Sequence, residues 1–155
     1  MWDWIMNKYL PASLILCVGA VMAAPMPYDE TADAKASVTQ AITQAREDNK
    51  KVLLIFGANW CPDCRELAKA LEGRSGDLLG EKFIVVKIDV GNFDKNLELV
   101  NAYGNPIKGG IPAAVVLTPE NAIVYSTKAG ELANARNMGE DGIYDFLRQK
   151  VVNQE

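Results

Sequence analysis

The sequence predicts an α/β fold, a central mixed sheet of four strands, with room for a fifth, flanked by helices. Three observations carry that reading. "VLLIF" (52–56) and "FIVVKIDV" (83–90) are continuous apolar runs, as expected of strands covered on both faces. Between and before them, apolar residues recur at helical spacing. After them, "IPAAVVLT" (111–118) and "IVYST" (123–127) are separated by the turn sequence "PENA", which reads as an antiparallel pair.

Taken in order, Ala34, Val38, Ala41, Ile42 and Ala45 form one apolar stripe of a first helix, capped by Thr31 or Asp33 and ended by Asn49-Lys50-Lys51. The first strand follows at 52–56. A second helix spans Pro62 to Leu71, with Pro62 in the first turn, where a missing N–H costs nothing. Gly73 to Gly76 reads as a break. The strand at 83–90 completes a βαβ unit with a right-handed crossover. "GNFDKN" is a loop, 95–103 a short helix and "GNPIKGG" a glycine-rich connector. Glycines 104, 109 and 110 are expected to let that connector approach Cys61. Residues 128–141 read as irregular or loosely helical, and a last helix over Gly142–Val152 turns Ile143, Phe146, Leu147 and Val151 to the core. The order is α-β-α-β-α-β-β-α.

The chain has 155 residues, enough for one domain with a substantial core. Its net charge of −4 and the lack of any basic stripe argue against nucleic acid as a partner. It contains no histidine, which removes the commonest general base and metal ligand. The N-terminus reads as a secretory signal over residues 1–23: Lys8 is the positive end, Leu10 to Met22 the apolar stretch, and Val21 and Ala23 the small residues before the cut. "MWDWI" is unusual ahead of such a segment, so Met6 is read as the true start. The apolar run falls short of the roughly 20 residues of a membrane span. An uncleaved anchor is the alternative. Residues 24–30 are a loose, proline-rich lead-in, and 31–155 form the domain. Cleavage would carry away Cys17 and leave two cysteines, Cys61 and Cys64, in a compartment where disulfides persist. A soluble periplasmic monomer is the expectation.

Those two cysteines admit three readings. As a structural crosslink, a loop this small removes little unfolded-state entropy. As a zinc site, the pair lacks two further ligands, although two thiolates could hold copper(I). As a redox pair, a C-x-x-C at a helix N-terminus sets the first sulfur near unpaired backbone N–H groups that stabilise its thiolate, with the second sulfur one turn inward. "KVLLIFGANWCPDCRELAKAL" supplies the strand, the pair and the helix that this reading requires.

This stretch resembles the active site of the thioredoxin-like superfamily, with "WCPDC" in place of the commoner "WCGPC". "VVKIDV" resembles the family's central strand and "GGIPAAVVL" the segment bearing its cis-proline. Within the superfamily, "ANWCPDCR" is most similar to secreted thioredoxin-fold proteins of Gram-negative bacteria. The pentapeptide also occurs in small cytosolic relatives. The resemblance implies a thiol–disulfide oxidoreductase without bound cofactor. Its partners would be cysteine-containing protein substrates and an upstream thiol–disulfide electron donor. Cys61 would be the nucleophile and Cys64 the resolving thiol. Pro112 would be cis and would present the Ile111 backbone to an extended peptide; a trans proline opening an edge strand is the alternative. Two departures stand out: the family's buried aspartate is replaced by Ile55, and its partner lysine is expected to fall at Val85.

Around the pair, Pro62 fixes the first helical turn, and Trp60 either shields the disulfide and meets substrate or packs at the strand end. Asp63 favours the helix but opposes a thiolate on Cys61, which biases the pair toward acting as a reductant of other disulfides. It is also a candidate for handling the Cys64 proton in place of Ile55; the alternative is a plain helix-cap carboxylate. The rival functions are a disulfide-donating oxidase and a copper(I) delivery module using the same sulfurs.

Overall fold

The computed structural model describes residues 26–154. The signal segment read over 1–23 lies outside them. Helix α1 (Ala34–Asp48) leads into β1 (Lys51–Gly57), α2 (Pro62–Ala70), α3 (Arg74–Gly80), β2 (Phe83–Asp89), α4 (Leu97–Ala102), a short 3-10 turn (Pro106–Gly109), β3 (Ala113–Leu117), β4 (Ile123–Ser126) and α5 (Ala135–Phe146). A wide π turn, Leu147–Val152, closes the chain.

The sheet has four strands among the described residues, in the order β2-β1-β3-β4. β1 pairs in parallel with β2 and antiparallel with β3, and β3 is antiparallel to β4. Val52 to Phe56 therefore sit in the middle of a mixed sheet with every side chain buried, which is why the run is apolar without alternation. β4 is the edge, and there Ile123 stands exposed. Helices α1 and α3 pack on the sheet, while α2 packs chiefly on α5.

Local chemistry sets the helix ends. Asp33, not Thr31, caps α1: its Oδ1 accepts from the Ala36 N–H at 2.9 Å. Asn49 ends that helix in the left-handed region at φ 52°. The five stripe residues of α1 are all buried.

Three expectations are corrected or sharpened. The break at Gly73–Gly76 is the start of α3, held down by buried Leu79. The stretch 128–141, read as irregular or loosely helical, divides between the two, irregular up to Asn134 and helical from Ala135, where α5 begins. Gly139, at φ 64° and ψ −179°, kinks it and hides the helical period in the sequence. The glycines of the connector do not serve an approach to Cys61. A Cβ on Gly109 would lie 2.3 Å from the Gly130 nitrogen, so the close contact is with the loop before α5.

Two substitutions test this account. Asp33→Ala is expected to cost about 1 kcal/mol through the lost cap. Leu53→Ala, in the fully buried centre of β1, is expected to cost roughly 2–5 kcal/mol. Denaturant unfolding of the oxidised protein measures both.

Candidate active site

The centre of the sheet delivers the site. β1 ends at Gly57 and a tight turn follows, in which the Cys61 N–H donates to the Ala58 carbonyl at 3.2 Å. Cys61 then occupies the N-cap of α2 with extended backbone, φ −77° and ψ 115°. Pro62 takes the first helical position, as its fixed φ suits. The cap is made by sulfur: the Cys64 N–H points at Cys61 Sγ from 3.2 Å. An unpaired amide of the first turn and the positive end of the helix thus converge on the first cysteine.

Cys61 and Cys64 form a disulfide, with their Cα atoms 5.2 Å apart. Cys64 is fully buried and Cys61 is 4% exposed, so what solvent reaches the bridge reaches the first sulfur. That exposure is smaller than the sequence reading implied, because the β3 approach lies over it. The Ile111–Pro112 bond is cis, and Ile111 O stands 3.6 Å from Cys61 Sγ. Residues fifty apart in the chain meet at one sulfur.

Trp60 is 52% exposed rather than packed at the strand end. Its Nε1–H donates to the Gly91 carbonyl at 2.8 Å, and its ring meets Phe93 edge-on, centroids 6.0 Å apart. Phe93 is itself exposed and sits at φ 65°, a conformation uncommon for a bulky residue. The loop after β2 therefore places a second aromatic ring beside the cysteine turn. Nothing in the periodicity pointed to Phe93.

Asp63 faces away from its own helix's work. Its Oδ1 accepts from the Arg136 backbone N–H at 3.0 Å and from Arg136 Nε at 3.3 Å. The Arg136 N–H belongs to the first turn of α5, so Asp63 caps α5 across a tertiary contact. Desolvation alone would raise the Asp63 carboxyl; the hydrogen bonds and charge of Arg136 outweigh it and hold the group below the usual carboxylate range.

Two further findings concern the second sulfur. Ile55 is buried in β1; its register partner on β2 is Lys87, and Val85 lies two residues before that, 38% exposed. The lead-in is not loose at its end: Tyr28 is 2% exposed and is clamped by Asn59. Its N–H donates to Asn59 Oδ1 at 2.9 Å, and Asn59 Nδ2 donates back to the Tyr28 carbonyl at 2.8 Å. No spacing rule singled out Tyr28, Asn59 or the buried Asp89. Among the described residues no group of three or more His, Cys, Asp or Glu is placed to share a metal ion.

Such an arrangement can perform thiol–disulfide exchange: a capped sulfur that leaves well as a thiolate, a second sulfur already within bonding reach, and a backbone carbonyl at the entrance. Comparison with known proteins agrees. A family model described as "Thioredoxin-like" matches residues 33–119. A solved structure described as the disulphide isomerase from Xylella fastidiosa Temecula1 is 53% identical, with a TM-score of 0.79 over 82% of this chain and 98% of that one. The thioredoxin of Buchnera aphidicola subsp. Baizongia pistaciae (strain Bp) is 37% identical over 101 residues, 65% of this chain and 79% of that protein. The H-type thioredoxin of Chlamydomonas reinhardtii is 34% identical over 58 residues, 37% of this chain, which spans only 50% of that protein's length. The chain belongs to the thioredoxin-like family.

Proposed function

We propose that this protein is a thiol–disulfide oxidoreductase that works from its dithiol state, attacking disulfides of other proteins. The carrying observation is Cys61 Sγ at the α2 N-cap, facing the Cys64 N–H, with Ile111 O 3.6 Å away. In the reduced protein that cap favours a thiolate on Cys61. The thiolate attacks one sulfur of a substrate disulfide, and the substrate's other sulfur leaves with the electron pair. Cys64 then attacks Cys61 Sγ, closes the bridge seen here, and releases the second substrate sulfur. Reduction of the pair by an upstream thiol donor resets the cycle. The similarity to a protein described as a disulphide isomerase supports the same opening step, since isomerisation also begins with thiolate attack on a substrate disulfide.

The chemistry needs no cofactor. Trp60 and Phe93 flank the entrance, and the backbone of Ile111 and Pro112 offers main-chain contacts to an extended peptide. Export through the N-terminal signal and work in the periplasm as a monomer belong to the same reading. It is supported by the pattern over residues 1–23 and by the pairing of the two cysteines that cleavage would leave.

Asp63 is assigned to holding α5 against the site rather than to moving the Cys64 proton, because its carboxylate is turned to Arg136 and held ionised. Its depressed pKa fixes the sign of the linkage. The stabilisation is fully present above the unfolded value of about 3.9 and is lost as pH falls through the lower folded value. Asp63→Ala is expected to lose about 1 kcal/mol of stability at neutral pH, a difference from the parent that shrinks to nothing in acid. Single-turnover resolution in Asp63→Asn should match the parent; a marked slowing would return the proton role to Asp63.

The function itself is tested by insulin reduction with metal-free protein and by mixed-disulfide trapping. Parent protein is expected to turn over. Cys61→Ser should be inactive, and Cys64→Ser should accumulate a substrate adduct on Cys61. Tight copper(I) binding by the reduced protein with no turnover would replace the enzyme by a metal carrier. Equilibration with glutathione decides the direction: the cap on the Cys61 thiolate pulls the couple up from the reducing end, a value near about −270 mV keeps the reductase reading, and one near about −120 mV would make it a disulfide donor.

A further inference from the structure

We propose that Tyr28 is the hydrogen-bond donor that stabilises Cys64 as it attacks, in the place left by Ile55. This rests on the redox reading above. The observation is a shared position. A Cβ built on Gly57 would lie 2.2 Å from the Tyr28 hydroxyl oxygen and 3.0 Å from Cys64 Sγ. The phenol therefore fills the space where a methyl group would stand and the resolving sulfur borders it, the two lying nearer each other than those two distances combined. Only glycine at the end of β1 leaves room for them, so the residue type at 57 is set by this meeting.

Three features make the phenol a donor and aim it. Asn59, two residues before Cys61, grips both backbone groups of Tyr28, and its Nδ2 also reaches Glu30 Oε1 at 2.9 Å. The cysteine turn itself thus positions the ring. Asp89 is the register partner of Gly57, so its side chain lies on the same side of the sheet as that shared position. Its Oδ2 is buried, with the Lys95 ammonium 3.2 Å away but not aligned to donate to it. Burial, and then the Asp89 charge, push the phenol above its ordinary range, so it keeps its proton at neutral pH.

In the disulfide form the Tyr28 hydroxyl donates to no side chain or carbonyl of the described residues. When the bridge opens, Cys64 Sγ gains a lone pair, and with ionisation a charge, close to the Tyr28 hydroxyl. The step balances as follows. Cys64 loses its proton, and its sulfur forms a bond to Cys61 Sγ as the bond from Cys61 to the substrate sulfur breaks. The substrate sulfur leaves with the electron pair and takes up a proton, so the net transfer is from the Cys64 thiol to the substrate thiol. Tyr28 keeps its own proton throughout and donates to the Cys64 thiolate. The charged groups gathered about the phenol are Asp89 of β2, Lys95 of the loop after it, which reaches Asp89, and Glu30, which Asn59 Nδ2 reaches. Asp89 opposes the thiolate, and the phenol offsets it.

The test uses Tyr28→Phe, which keeps the ring and removes only the oxygen. In a reduced Cys61→Ser background, the pH midpoint of Cys64 alkylation is expected to rise by about one unit, a tenfold loss of thiolate. In the parent background, resolution of a glutathione adduct on Cys61 should slow about threefold, the tenfold loss of thiolate being partly offset by the greater nucleophilicity of a more basic sulfur, while the earlier capture of glutathione disulfide by Cys61 is not slowed to match. A ring-fluorinated tyrosine at 28, a more acidic donor of the same shape, should move the midpoint the other way and serves if Tyr28→Phe does not fold. An unmoved Cys64 midpoint, or an unmoved resolution rate, overturns the proposal. The alkylation titration needs no substrate protein, so it reads the Tyr28 contact even if the protein proves to exchange disulfides with nothing.

Discussion

The structure depends on a sulfur atom doing the work of a helix cap. At the N-terminus of α2 the acceptor expected from serine or aspartate is supplied by Cys61, whose Sγ faces the Cys64 N–H from 3.2 Å. A cap of this kind is weak while the sulfur is locked in a disulfide and strong when it carries charge. The helix is therefore more favourably ended when Cys61 is a thiolate, and fold and chemistry are coupled through one contact. The fully buried β1 fixes the turn that presents Cys61, and α5, held by Asp63, covers the outer side of α2.

The two sulfurs live in different surroundings because they sit on different sides of that cap. Cys61 meets the helix end and the Ile111 carbonyl, at the edge of solvent. Cys64 is sealed under Gly57, beside a phenol that comes from outside the βαβ unit. A sulfur that solvent just reaches and one that it does not suit a nucleophile and a resolving partner respectively. They also explain why the chain before α1, which adds nothing to the sheet, is pinned by Asn59 rather than left to drift.

Much of this was legible in the residues. Continuous apolar runs marked β1 and β2, because strands covered on both faces have no reason to alternate. The cysteine spacing, Trp60 and Pro62 placed the site at a strand-to-helix junction. What stayed hidden follows from physical causes. Gly139 interrupts the period of α5, so its first turns looked irregular. That Lys87 stands opposite Ile55 is hidden because register is set by pairing between strands and not by either strand alone. Tyr28 looked like part of a proline-rich lead-in, since a single tyrosine carries no period. Asp63 looked like a charge acting on its own helix, whereas its partner lies seventy-three residues away on α5.

The central claim is that the α2 N-terminus makes Cys61, and not Cys64, the reactive sulfur. The pH dependence of alkylation of the fully reduced protein, followed cysteine by cysteine by mass spectrometry, tests it directly. The account predicts that Cys61 reacts with a midpoint below the roughly 8.5 of an unperturbed thiol, while Cys64 stays protected until well above it. Equal reactivity of the two, or a Cys61 midpoint at or above the ordinary value, would contradict it.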